Sequence, residues 1–88
     1  MGRTSRAKPR ELTESWPDVE AVDRHGEVAR RYVLSLRAAI GARSVRSVAR
    51  DAGLDEGTVR RVLAGESWPD LHTISRLNDS LGGGLYPG

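Results

Sequence analysis

A chain of 88 residues with no Phe and one Met, whose apolar content is drawn mainly from Leu, Val, Ala and Ile, supports one small core of packed helices and counts against a sheet. The absence of Cys excludes a disulfide framework and a thiolate zinc site. No stretch approaches the ~20 apolar residues of a membrane span or supplies the apolar segment of a signal peptide, so the expected location is the cytoplasm.

Residues 1–14 lack periodicity, and the first ten carry Arg3, Arg6, Lys8 and Arg10 with no acid, which predicts a flexible basic arm. Order is expected from Trp16. Pro17 and Asp18 open a short stretch, Val19 to Val22, read as one or two helical turns before Gly26. Residues 11–27 are acidic, with a net charge of −5.

From Glu27 the apolar positions Val28, Ala29, Tyr32, Val33, Leu36 and Ile40 recur at spacings of three and four, which predicts an amphipathic helix closed by Gly41. Ser44 is placed to cap a second helix. In it Val45, Val48, Ala49 and Ala52 face inward, while Arg43, Arg46 and Arg50 fall at i, i+3 and i+7 on a basic face. Gly53 ends this helix and Leu54 anchors a turn. Asp55 caps a third helix over 56–64, with Val59, Val62 and Leu63 inward and Glu56, Gly57, Arg60, Arg61 and Ala64 outward. The segment 28–65 has a net charge of +5, so the basic charge concentrates in the arm and in this centre. After Gly65, Pro69 and Asp70 start a fourth helix with Leu71, Ile74, Leu77 and Leu81 inward, and Gly82-Gly83-Gly84 stops it. Tyr86 and Pro87 are placed to fold back on the core. Ser15-Trp16-Pro17-Asp18-Val19 echoes Ser67-Trp68-Pro69-Asp70-Leu71, which reads as two similar helix starts and is too short to establish a repeat.

The informative segment is residues 44–65. Two short helices crossing at roughly 90–120° through a tight turn need a small residue where they touch and a glycine at the turn. Ala49 and Gly53 meet those needs, and Val48, Leu54, Val59 and Val62 fill the angle. Here the chain resembles the lambda-repressor-like, xenobiotic-response-element type of helix-turn-helix domain. The likeness covers about residues 27–82; residues 44–59 align without a gap, and it continues through Gly65, Pro69, Leu71 and Leu81. The Trp68-Pro69-Asp70-Leu71 start and the Leu85-Tyr86-Pro87 ending are similar to repressors of actinobacteria and their phages.

The resemblance implies a compact all-α domain of four to five helices over 15–85, with the helix-turn-helix at 44–65 and a Gly-rich tail at 82–88. It also implies that the third helix enters the major groove of double-stranded DNA. Its base-reading candidates are Glu56, Gly57, Thr58, Arg60 and Arg61. Arg60 leads, because an arginine can donate two hydrogen bonds to guanine O6 and N7, and Glu56 could accept from a cytosine amine. The phosphate candidates are Arg43, Ser44, Arg46, Ser47, Arg50, Asp55 and Ser67. Val45 departs from the glutamine usual in the family, so that phosphate contact falls to Ser44, Arg46 or Ser47.

Other readings compete. Glu56 and Arg60, at i and i+4, form an ordinary solvated helix pair if they do not meet DNA, and Arg43, Arg46 and Arg50 are then a solubility face. Trp16 and Trp68 read as core lids. His25 and His72 are isolated, which leaves no metal or acid–base constellation. No nucleophile, base and orienter set recommends an enzyme, no cofactor motif is present, and so small a core leaves little room for a ligand pocket of ~300 Å³. The function expected is sequence-specific transcriptional regulation, most simply operator repression as in phage immunity. The alternative is an antitoxin-like or adaptor module that binds a protein. Homodimer and monomer, and a complete regulator or the DNA-binding domain of a longer one, are equally compatible with the sequence.

Overall fold

The computed structural model describes residues 7–83, which form four α-helices and no strand: α1 (Arg24–Ile40), α2 (Val45–Ala52), α3 (Glu56–Leu63) and α4 (Leu71–Ser80). A 3₁₀ turn over Pro9–Leu12 precedes them. The all-helical fold implied by the 3.6-residue periodicity is therefore the observed one. Arg3 and Arg6 of the expected arm, and the Leu85-Tyr86-Pro87 ending with its expected fold-back, lie outside the described residues.

Each helix starts on a side-chain oxygen that accepts a first-turn amide, one of the groups a helix leaves without an internal partner. Asp23 accepts from Gly26 at 2.8 Å, Ser44 from Ser47 at 3.0 Å, Asp55 from Thr58 at 3.2 Å and Asp70 from Thr73 at 2.8 Å. The Thr73 amide also holds the Asp70 carboxyl below its usual range. Ser44, Asp55 and Asp70 stand where the sequence predicts helix starts, and Asp23 does not.

With Asp23 as its cap, α1 begins three residues earlier than expected and takes Gly26 into its first turn. The Gly26 amide is held by the Asp23 cap, and its bare Cα leaves room for Leu12, whose Cδ1 would lie 2.9 Å from a Cβ at that position. The residues from Val19 to Val22 form no helix. A turn closes from the Val19 amide to the Ser15 carbonyl at 2.9 Å, the Thr13 hydroxyl donates to the Val19 carbonyl, and Val22 is fully exposed. The chain is then tied down by Glu27, which accepts the Ala21 amide at 2.9 Å. The two Ser-Trp-Pro-Asp stretches thus diverge: the second leads into α4, whereas the first, with a cis Trp16–Pro17 peptide, leads into this turn.

The core is built by Tyr32, Val33, Leu36 and Ile40 of α1, Val48, Ala49 and Ala52 of α2, Val59 and Val62 of α3, and Leu77 of α4. Burial pushes the Tyr32 phenol up to about 12. Trp16, Val45, Leu54, Leu63, Ile74 and Leu81 pack around the rim. Two expected core residues are not in it: Leu71 is 77% exposed and Val28 is 47% exposed. Leu71, the first residue of α4, stays exposed, while Thr73 of the same turn is buried and Leu77 one turn further on joins the core.

The stretch expected to be an arm is docked from residue 7 onward. Pro9 is buried, the Arg10 amide donates to Gly65 at 3.0 Å and the Trp68 indole donates to Ala7 at 2.8 Å. Glu66 takes both Lys8 and Arg10 at 3.0 Å, and the Lys8 hydrogen bond with the Arg10 charge holds its carboxyl below the usual range. Trp16 lies against Gly65 and donates to the Leu63 carbonyl at 3.0 Å. Among the described residues no helix is long and apolar enough to cross a membrane.

Removing a fully buried side chain loses its transfer energy and leaves a cavity. Leu36→Ala is expected to lower the unfolding free energy by about 2–5 kcal/mol in urea titrations. Leu71→Ala should stay within about 0.5 kcal/mol of the wild type.

A second expectation comes from Glu27. Hydrogen bonds from Arg30 at 2.7 and 2.9 Å, opposed by partial desolvation and aided by the Ala21 amide and Arg31, pull its carboxyl from 4.5 down to about 2. A carboxyl that is more acidic in the folded chain contributes fully above its unfolded value of 4.5 and loses that contribution as pH falls through about 2. Acid titrations followed by circular dichroism should show Glu27→Gln with a shallower loss of stability across that window than the wild type.

Candidate nucleic-acid interface

The geometry of the 44–65 segment is set at its turn. Gly53 adopts φ 70° and ψ 33°, the left-handed conformation that disfavours a side chain. The Leu54 amide reaches back to the Ala49 carbonyl at 2.8 Å and the Gly53 amide to Arg50 at 3.1 Å. That pair of bonds is a Schellman stop, which ends α2 and turns the chain toward Asp55. α2 packs on both α3 and α4, with Val48 and Val59 wholly buried where the two halves of the motif meet.

A residue outside the motif braces the turn. Arg76 of α4 donates through Nε to the Ala52 carbonyl at 2.6 Å, and its Nη2 lies where a Cβ on Gly53 would stand, 2.6 Å away. Arg37 of α1 reaches the Leu63 carbonyl at the end of α3 at 3.5 Å. Neither role is visible in the sequence, because both arginines sit on the polar stripe of their own helices and acquire these partners only through helix packing.

The opening of α3 is presented outward. Glu56, Gly57 and Thr58 are half-buried, and Arg60 and Arg61 are exposed. Gly57 lies between the Asp55 carboxylate and the Arg61 guanidinium, and Arg61 reaches the Thr58 hydroxyl at 3.4 Å. Arg43, Arg46 and Arg50 are exposed on and beside α2. The Ser44 hydroxyl accepts the Ser47 amide as the cap of α2 and keeps its own proton to donate. Asp55 has no side-chain donor, so its only possible gift to a phosphate is its backbone amide. Ser67 is set apart, in the connection between α3 and α4, where its neighbours Glu66 and Trp68 both bind the docked 7–10 segment.

Two carboxylates thread through these arginines. Glu56 takes Arg60 through both Nε and Nη2 at 2.7 Å on one oxygen, and its other oxygen lies 3.6 Å from Arg46 Nε. Asp51 takes Arg43 at 2.5 Å and lies 3.7 Å from Arg50. The helix pair weighed for Glu56 and Arg60 is thus formed in the free protein. Pairs this exposed contribute only about 0.2–1 kcal/mol each and exchange readily with an external anion. Asp51 is the member that sequence reasoning passed over, since its separation of eight residues from Arg43 matches no helical rule and arises from the loop that enters α2.

Open grooves also mark the surface of the described residues, although so small a core was expected to leave little room for one. One, of about 970 Å³, runs between α2 and α4 and is lined by Asp51, Ser75, Arg76 and Asp79 among others. Another, of about 790 Å³, is lined by Val28, Tyr32, Trp68 and Leu71. Among the described residues no cluster of three or more His, Asp or Glu is placed to hold a metal. Comparison with known protein families, with curated proteins and with solved structures finds no match for this chain.

The brace at the turn is testable by stability. Losing one hydrogen bond whose acceptor becomes accessible to water removes about 1 kcal/mol. Urea denaturation should therefore place Arg76→Ala about 1 kcal/mol below the wild type, with Arg50→Ala, an equally charged change on an exposed side chain, within about 0.5 kcal/mol.

Proposed function

We propose that this chain binds duplex DNA sequence-specifically and acts as a transcriptional regulator, most simply as a repressor that occludes an operator. The observation that carries the reading is the shared surface: Arg60 and Arg61 are exposed on α3, and Glu56 at its start lies 3.6 Å from Arg46 of α2, so one docking would bring both helices to DNA.

The chemistry divides between the two helices. A helix with its side chains is about 10–12 Å across, so α3 would fit a major groove about 12 Å wide. Within it, Arg60 carries the donors that match guanine O6 and N7, Glu56 carries an acceptor for a cytosine amine, and Arg61 and Thr58 flank them. Arg43, Arg46 and Arg50, with the Ser44 and Ser47 hydroxyls, supply sequence-independent contacts to phosphate that fix the register of α3. Repression then follows from occupancy.

A protein-binding role, as in an adaptor or antitoxin, has one observation in its favour: Val28 and Leu71 expose apolar surface on a common groove away from the α2–α3 turn. Steep salt dependence separates the readings, because each phosphate neutralised adds about 0.9 to the log–log slope of affinity against salt. Four contacts would give a slope of about −3.6, and a flat response would favour the protein partner.

The division of labour predicts different losses for two arginines. On an operator obtained by selection from random duplexes, Arg60→Ala should cost about 1–3 kcal/mol and relax preference at one base pair. Arg46→Ala should weaken all duplexes alike and make the slope shallower by about one unit. Equal losses for Arg60→Ala on operator and scrambled duplex would reassign it as a phosphate contact.

A further inference from the structure

The arginines of this face do not stand free. The segment 43–61 carries five arginines and three acids, so its net charge is only +2. Four of the five arginines share two carboxylates, one for each edge of the motif: Asp51 between Arg43 and Arg50, and Glu56 between Arg46 and Arg60. The third acid, Asp55, is spent as the cap of α3. Glu56 belongs to α3 and Arg46 to α2, so one carboxylate spans both halves of the motif.

We infer that Asp51 and Glu56 are intramolecular stand-ins for phosphate, which offset part of the positive charge of the face in the free protein and must be displaced before a polyanion can take the same arginines. This rests on the DNA-binding reading and adds to it a specificity device. A phosphate offers Arg43, Arg46, Arg50 and Arg60 little that a carboxylate does not already give, so random duplex gains little from them. Only a site that also satisfies the displaced acceptors recovers the difference, for instance through a cytosine amine donating to Glu56. Negative charge left beside the phosphates also repels them, and both effects act most strongly against binding that relies on charge alone. The two carboxylates therefore lower non-specific affinity more than specific affinity.

The alternative, that the pairs simply brace α2, its entry loop and α3, makes the opposite forecast: neutralising them would lower the melting temperature and leave polyanion binding where net charge alone puts it.

The test uses the full chain with Asp51→Asn, Glu56→Gln and, as a control of equal charge change on an exposed carboxylate that pairs with none of these arginines, Asp18→Asn. Each is titrated against a mixed-sequence duplex at several salt concentrations and run on immobilised heparin, with thermal unfolding as a check on the fold. Asp51→Asn and Glu56→Gln should each bind the duplex about two- to fivefold tighter than Asp18→Asn at low salt, the factor that exposed pairs of this kind represent. Their salt slopes should be steeper by about one unit, and they should leave heparin later than Asp18→Asn. If both match Asp18→Asn on duplex and on heparin, the inference is overturned whatever the wild type does with DNA. If they gain on heparin while no form of the protein holds a duplex, the masking stands for polyanions and the DNA-binding reading falls.

Discussion

At Gly53 the backbone turns left-handed, the Leu54 amide closes on the Ala49 carbonyl, and the direction of α3 relative to α2 is settled within two residues. Everything on the candidate face follows from that geometry. Val48 and Ala49 of α2 and Val59 of α3 are buried in the one core on which the two helices pack. The turn is not left to local chemistry alone, since Arg76 lays its guanidinium across it from α4. A short motif whose own helices are eight residues each would be marginal in isolation, and here it is held by a core that α1 and α4 complete.

The electrostatics of the surface are subtler than its arginine count. Arg43, Arg46, Arg50 and Arg60 each lie within 3.7 Å of a carboxylate, so the free protein presents a partly compensated network instead of an open positive patch. Such a network costs little to rearrange, because its members are largely exposed and water competes for each contact. A surface of this kind favours partners that replace several pairings at once over those that offer charge alone.

The same economy appears at the N-terminal side. Lys8 and Arg10, basic residues that sequence logic assigns to a free arm, are bound to Glu66, and Trp16 and Trp68 fasten the segment by indole hydrogen bonds to backbone carbonyls. Glu27 plays a comparable part at the start of α1, where one carboxylate gathers Arg30, Arg31 and the Ala21 amide. These contacts join residues far apart in sequence with residues close by, and they anchor the entry to the first helix against the motif it supports.

The sequence by itself determined α2, α3 and the start of α4 and most of the inward faces, though not the start of α1 or the non-helical stretch from Val19 to Val22, because amphipathic period, capping residues and stop glycines are local properties: Ser44, Asp55, Gly53 and Gly65 mark their elements without reference to anything distant. It also placed Glu56, Thr58, Arg60 and Arg61 at the outward opening of α3. Tertiary structure decided what no local rule encodes. Gly26 lies inside a helix that Asp23 caps, its bare Cα leaving room for Leu12 of another element, and Leu71 is exposed although its spacing is apolar, while Thr73 of the same turn is buried. Arg76, Asp51 and Glu66 acquired their roles the same way. A side chain on a polar stripe has many reachable partners, and only the packing of helices selects which carbonyl or guanidinium arrives within hydrogen-bond distance.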